Sequence, residues 1–202
     1  MTVETNELSG LLSSGNSKLP TTTAIFNMTT ALDCPSMKLG LCKACVAKVK
    51  CYARKAEQLY PTVLPYRKRQ QIYWENVSSV DFVKHFLVIN ARKTKKYTLV
   101  RLNEAGDFST QSCVEKAEEI ATALKEHGVV VYCYTSRDDL NYEKVKNLVI
   151  NGSGFIKEGI SNIFQIVHDV NKKDVGYGVC AGDCRICIRC SKRGMKTVVK
   201  NH

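Results

Sequence analysis

Eight of the ten cysteines fall into two tight groups, Cys34, Cys42, Cys45 and Cys51 in one and Cys180, Cys184, Cys187 and Cys190 in the other. A thiolate is a soft anionic ligand, so four within reach of one another bind zinc or iron, or oxidise to disulfides. The second group reads CxxxCxxCxxC, four thiols within eleven residues. Reversed, those gaps match the compact run that wraps an iron–sulfur cube in bacterial ferredoxins, whereas structural zinc sites usually set two short knuckles apart by a longer loop. The spacing predicts a [4Fe-4S] cluster, with zinc as the alternative. Gaps of seven, two and five residues separate the cysteines of the first group, and Gly40, Ala44 and Ala47 leave room for backbone beside a cluster. One or two clusters fit this ligand supply. Cys180 or Cys34 can cross to the other group, as an outlying cysteine does in two-cluster ferredoxins, which would bring the two ends of the chain together.

Other reactive side chains read differently. Cys113 shares a helical face with Ala117 and Leu124, and Cys133 lies in an apolar run, so both are expected in the core. His85, His127, His168 and His202 are scattered, and none has zinc-ligand spacing to a cysteine. The segment from Arg101 to Phe108 begins at the end of a predicted strand, where α/β proteins place functional loops. There Arg101 can pair with an anion, Asn103 can line the edge, and Glu104 or Asp107 can accept a proton. The structural alternative has Asp107 capping the next helix and Arg101 pairing with a buried carboxylate.

A chain of 202 residues with 44% hydrophobic content can bury a sizeable core without disulfide staples. The first residues are polar and lack a signal-peptide pattern, and runs such as Val129 to Tyr134 are too short to cross a bilayer. A cytoplasmic location and no membrane association are expected. In that compartment clustered cysteines serve metals or redox chemistry rather than disulfides. The formal charge of +11 suits a polyanionic partner, a nucleic acid or an acidic protein. Its densest stretches are Arg67, Lys68, Arg69, Arg92, Lys93, Lys95 and Lys96, then Lys192, Arg193, Lys196 and Lys200. Tyr66, Tyr73 and Trp74 lie among the first set, either as stacking platforms for bases or as buried rings beneath a solvated basic face.

These residues need elements to position them. Residues 1–23 read as a flexible arm, 24–193 as one α/β domain and 194–202 as a basic tail. Within the domain, a cysteine module over 34–51 precedes a helical segment over 52–96, with helices predicted at Tyr52 to Tyr60, Tyr66 to Trp74 and Val80 to Ala91. A βα core over 97–170 follows, with strands at Tyr97 to Leu102, Val129 to Tyr134, Leu148 to Asn151 and Ile163 to Val167. Val114, Ala117, Ile120, Ala121 and Leu124 mark one helix, started by Ser109 or Thr110 and ended by Gly128, and a second is predicted from Asp138 to Asn147. The cysteine-rich segment 180–190 closes the series. A partial (β/α) barrel or an open, mostly parallel sheet with helices and right-handed crossovers is expected, with cysteine-rich metal-binding loops at both ends.

Cys51-Tyr-Ala-Arg-Lys55, Arg101-Leu-Asn-Glu-Ala-Gly-Asp-Phe108, Tyr134-Thr-Ser-Arg137 and the terminal cysteine run, in that order, resemble the phage-encoded gene product 88 domain family over roughly residues 24 to 193. The resemblance implies an iron–sulfur protein of viral origin, working in host cytoplasm, with a sheet related to the radical S-adenosylmethionine barrels. Cys180, Cys184 and Cys187 reproduce the CxxxCxxC spacing by which those enzymes hold a cluster with one iron open to S-adenosylmethionine. Two departures separate this chain from them: the motif follows the last predicted strand, and Cys190 can close the fourth iron. What is implied is a radical-SAM-like fold without the standard reaction, an active enzyme using Cys180, Cys184 and Cys187 being the alternative. The turn Asn151-Gly-Ser-Gly154 could approach a cofactor.

Overall fold

The computed structural model describes residues 6–42, 51–167, 169–172 and 176–200. β-Branched and aromatic runs form strands, and stretches with a 3.6-residue apolar period form helices. In chain order these are β1 (Ser13–Ser14), β2 (Thr23–Phe26), α1 (Pro35–Lys38), α2 (Tyr52–Leu59), α3 (Val63–Asn76), α4 (Ser79–Arg92), β3 (Leu99–Leu102), α5 (Gln111–Lys125), β4 (Val130–Thr135), β5 (Val149–Ser153), β6 (Asn162–Val167), β7 (Gly178–Val179) and β8 (Lys196–Lys200). Ser78 caps α4 by accepting a hydrogen bond from the Asp81 amide at 3.0 Å.

The strands form one open sheet in the order β1-β2-β3-β4-β5-β6-β8-β7, parallel throughout except for the β1–β2 pair. From β2 to β6 each strand lies beside its successor in the chain. Right-handed crossovers between strands placed in chain order all pass over the same face. That face carries the core: Phe26, Val100, Leu102, Val131, Cys133 and Ile150 of the sheet pack with Trp74, Phe82, Phe86, Val114, Ile120 and Leu124 of the helices. Alternation along each strand sends Arg101, Tyr132, Tyr134, Asn151, Asn162 and Phe164 to the opposite face.

Three sequence expectations are corrected. Residues 6–23 are not a loose arm: Leu8, Leu11 and Leu19 are buried, and β1 pairs with β2. Their polar composition hides three well-spaced leucines, enough to dock a segment that lacks periodicity. Nor is the stretch after residue 193 merely a tail, because Lys196–Lys200 forms β8 beside β6 with Thr197 and Val198 buried. Residues 138–147 form turns instead of a helix. There the Glu118 carboxylate accepts from the Lys146, Asn147 and Leu148 amides, and Gln111 Oε1 accepts from the Asn141 amide. Tertiary acceptors thus replace the i−4 carbonyls a helix would have used.

Candidate functional site

Three of the segments singled out in the sequence meet on one loop, residues 103–108, beyond the carboxyl end of β3. Asn103 takes a left-handed conformation, φ 59°, and its Oδ1 accepts from the Met28 amide. Gly106, at φ 76°, must be glycine: a Cβ there would lie 2.0 Å from Thr29 Oγ1. The Asp107 carboxylate is buried and accepts from Ser36 Oγ at 2.6 Å, the Ser136 amide at 2.8 Å and the Phe108 amide at 2.8 Å. Burial pushes its pKa above the usual carboxylate value, against the lowering effect of those donors. Arg137 donates to the Phe108 carbonyl and pairs with Asp139 at 2.7 Å. Tyr52 donates its hydroxyl to the Glu104 carbonyl, and Cys51, Ala31, Ala53 and Ala105 pack as a small apolar cluster. Asp107 is therefore a bracket joining α1, the end of β4 and the loop, and does not take the capping role of the structural alternative, since the next helix begins at Gln111 after Thr110.

Cys34, Cys42 and Cys51 of the first cysteine group lie near this bracket. Cys34 is the residue before α1, and Asp107 holds Ser36 two positions on. Cys34 and Cys42 lie within electrostatic reach of each other, and burial pushes the Cys34 thiol up to about 12. The preceding loop is tied down by Glu57, which accepts from the Ala31 and Leu32 amides and from Arg67. Cys45 lies outside the described residues.

The second group lies over the opposite face of the sheet. Asn151 donates to the Cys190 carbonyl at 2.9 Å, Asn162 donates to the Lys192 carbonyl at 2.7 Å and accepts from the Met195 amide at 2.8 Å. The Asn162 amide also donates to Asn151 Oδ1 at 3.0 Å, so the two asparagines form one buried pair. The Tyr134 hydroxyl is a neighbour of the Cys190 thiol, whose pKa burial raises while that hydroxyl opposes the shift. Cys184 lies within electrostatic reach of Arg101, Cys180 and Cys187, and its pKa is raised chiefly by burial while Arg101 opposes that shift. Its amide donates to the Lys18 carbonyl at 2.9 Å, which joins the two ends of the chain. Arg101 lies within electrostatic reach of Tyr52, Tyr134, Tyr132 and Glu104. Its guanidinium lies 5.2 Å from the Tyr134 ring centroid, and its buried Nε has no hydrogen-bond partner among the described residues.

With the Gly-Asp-Phe, Tyr-Thr-Ser-Arg and Cys-Tyr-Ala segments interlocked in this way, a family model matches residues 7–155 under the description gene product 88. The chain belongs to the gene product 88 family. It is a phage gene-product family, and the matched span holds the first cysteine group and ends before the second. No curated protein and no solved structure matches the chain.

In this gene product 88 chain no three His, Cys, Asp or Glu side chains among the described residues stand as a ready-made metal-ligand set. The second group, all four of whose cysteines are described, brings soft sulfur donors to one sheet face beside Arg101 without closing into such a set. Elsewhere the reactive residues take other roles. Cys133 is buried in the core as expected. Cys113 is only half buried: burial raises its pKa, but hydrogen bonds from Ser109, Thr110 and Trp74 bring it below the ordinary thiol value. Tyr73, Trp74 and Arg67 are buried, so they cannot stack on bases or grip phosphate. No helix among the described residues is long and apolar enough to cross a membrane.

Asn151 and Asn162 hold the second cysteine segment, and the sequence reading named only Asn151, as part of a turn that could approach a cofactor. The available signal was asparagine in strand interiors, where it is depleted unless its amide has a dedicated partner.

Proposed function

We propose that this chain is an iron–sulfur protein that holds a [4Fe-4S] cluster with Cys180, Cys184, Cys187 and Cys190, and a second with Cys34, Cys42, Cys45 and Cys51. One observation carries the reading: the four thiols of the second group are within electrostatic reach of one another, over a sheet face whose buried cation Arg101 leaves an N–H donor unpaired. Thiolates bring negative charge to such a site, and an unused cationic donor offsets it. When bound, the cluster supplies a one-electron couple. The chain supplies the ligands, a hydroxyl from Tyr134 at Cys190, and two asparagines that fix the backbone around Cys190 and Lys192. Cys190 closes the fourth iron in this reading, leaving no coordination position for S-adenosylmethionine. The exposed Lys68, Arg69, Arg92, Lys95 and Lys96 suit a polyanionic partner, and binding to nucleic acid that does not weaken with added salt would exclude phosphate contacts.

Oxygen-free purification followed by iron, sulfide and zinc analysis tests the assignment. The expected sample is brown, with about four irons and four sulfides per cluster. The double variant Cys184→Ser/Cys187→Ser loses only the share held by the second group. A colourless, folded protein with one zinc per cysteine group, or with no metal, refutes it. Cleavage of S-adenosylmethionine by the reduced protein would remove Cys190 from the ligand set and leave Cys180, Cys184 and Cys187 as an open site.

A further inference from the structure

We infer that the rim of the sheet around β1 is a docking ridge for double-stranded nucleic acid, gripped through its phosphates by Arg69, Arg92, Lys93, Lys95 and Lys96. The inference rests on the polyanionic-partner reading above and names its surface and its occupant. β1 is the last strand of the sheet on that side. Residues 8–32, 58–74 and 82–103, which carry β1 with β2, most of α3, and most of α4 with β3, come together there, and none of the three segments contains an Asp or Glu. Side chains tie them to one another. Lys93 donates to Ser14 Oγ at 3.2 Å, and Ser14 Oγ lies 2.5 Å from the Tyr97 hydroxyl. Gln70 donates to the Tyr66 hydroxyl at 3.4 Å and to the Leu11 carbonyl, two residues before β1, at 2.7 Å. The Arg69 guanidinium lies 5.8 Å from the Tyr66 ring centroid, and Lys93 Nζ lies 4.3 Å from that of Tyr97. Arg92, Lys95 and Lys96 are exposed on either side of Lys93. None of the five cations forms an ion pair among the described residues. The Glu104 carboxylate, which reaches the chain just past β1, is engaged by Asn16 at 2.7 Å and lies 3.9 Å from Arg67. Lys68 is not part of the ridge, since it lies within electrostatic reach of Asp33.

The chemistry of the ridge selects its occupant. Cations gathered without carboxylates create a positive potential that attracts a polyanion. Two of them are already ordered on aromatic faces, which reduces the side-chain entropy lost when a phosphate arrives. The same stacking withdraws the rings: Tyr97 is buried and the Tyr66 face holds Arg69, so neither is free to stack on an unpaired base. Single strands gain much of their affinity from such stacking. Without it phosphate contacts dominate, and these favour the duplex, whose two strands place one charge about every 1.7 Å of axis. Phosphate contacts carry no base information, so binding is independent of sequence. An acidic protein is a poorer fit, because an interface needs an apolar anchor and no large exposed apolar side chain lies in residues 8–31 or 89–103.

The test is fluorescence anisotropy of a labelled DNA duplex of about 20 base pairs, titrated with the full chain at about 50 to about 200 mM salt. With five phosphate contacts, log K is expected to fall with log salt at a slope of about −4.5. Lys95→Ser/Lys96→Ser is expected to flatten the slope by about 2 and to weaken binding about 60-fold at about 0.1 M salt, since each lost contact forfeits about eightfold there. Lys144→Ser/Lys146→Ser removes the same charge from exposed positions before β5 and is expected to leave the slope unchanged. A second duplex of unrelated sequence should bind equally, and the single strand more weakly. A salt-independent affinity, equal losses in the two double variants, or tighter binding of the single strand overturns the inference. Wild-type protein that binds polyglutamate and not the duplex overturns the inference alone. Binding of neither overturns the polyanionic-partner reading with it. Should Lys95→Ser/Lys96→Ser fail to fold, Arg92→Ser/Lys95→Ser makes the same comparison, and the wild-type slope and strand preference decide in any case.

Discussion

Replacing Asn162 by leucine should free the cysteine-rich segment from the sheet while leaving the rest of the fold intact. The substitution nearly conserves volume and deletes three hydrogen bonds, to the Lys192 carbonyl, the Met195 amide and Asn151 Oδ1. Lys192 is exposed, so water can replace its lost partner at a net cost of about 1 kcal/mol. The Met195 amide and the buried Asn151 oxygen are left short of partners, at about 1–2 kcal/mol each. The total of about 3–5 kcal/mol corresponds to an opening constant raised about 10²- to 4 × 10³-fold, since each 1.4 kcal/mol is a factor of ten. The β6–β8 ladder does not depend on the Asn162 side chain, so Lys196 to Lys200 should stay protected. Hydrogen exchange should therefore quicken over residues 180–193 and remain slow in β8, and in metal-free protein Cys184, Cys187 and Cys190 should react with a thiol reagent faster by a similar factor. Unchanged exchange and unchanged labelling would refute the idea that the asparagine pair holds this segment. Equal acceleration in β8 and the helical core would show a global effect instead.

Glu57→Ala strands the buried Arg67 charge and two loop amides, so a loss of about 3–5 kcal/mol is expected, seen by calorimetry as a midpoint about 10 °C lower. Gly106→Ala combines a left-handed backbone with a clash on Thr29 and should cost about 3 kcal/mol or more in a denaturant titration, whereas Gly128→Ala, with the same sign of φ and open space, should cost about 1–2 kcal/mol. Asp107 has a folded pKa above its unfolded value of 3.8, so between the two the native state binds the extra proton and stability falls as pH rises. Urea titrations above pH 4 should show that decline in wild-type protein relative to Asp107→Asn; a wild-type curve that rises relative to the variant would reverse the sign.

Ser79–Arg92 and Gln111–Lys125 were legible because each spends an apolar stripe on the core, whereas Tyr52–Leu59 and Val63–Asn76 also bury the polar Glu57, Arg67 and Gln70. All four helices lie within a few residues of where the sequence places them. The central strands were legible for the same reason, being apolar runs bounded by turn residues. Short edge elements were not: two residues at Ser13–Ser14 or Gly178–Val179 carry no periodic signal and exist only because a neighbour offers a ladder. The lost helix at 138–147 shows the converse, a moderate local preference overridden by Glu118 and Gln111 from another element. At the site, residue types announced themselves and contacts did not. Asp107 looked like a base at the sheet edge and is instead a saturated bracket, because nothing in its sequence neighbourhood names Ser36 or Ser136. Arg101 was identified as an anion partner from its place at the end of a strand, but its central position on the second face follows from pairing that only the assembled sheet defines.

The strand order also sets a timetable for synthesis. On a ribosome, β2 through β6 and the helices over their apolar side emerge before residues 180–193, so that side can be sealed while the other still waits for its cover. The waiting side presents Arg101, Asn151 and Asn162, groups that water solvates well, which protects the growing polypeptide from aggregation during the interval. Under the proposed iron–sulfur reading, metal delivery to the second cysteine group would come after the body has folded, whereas the first group could be filled while translation continues.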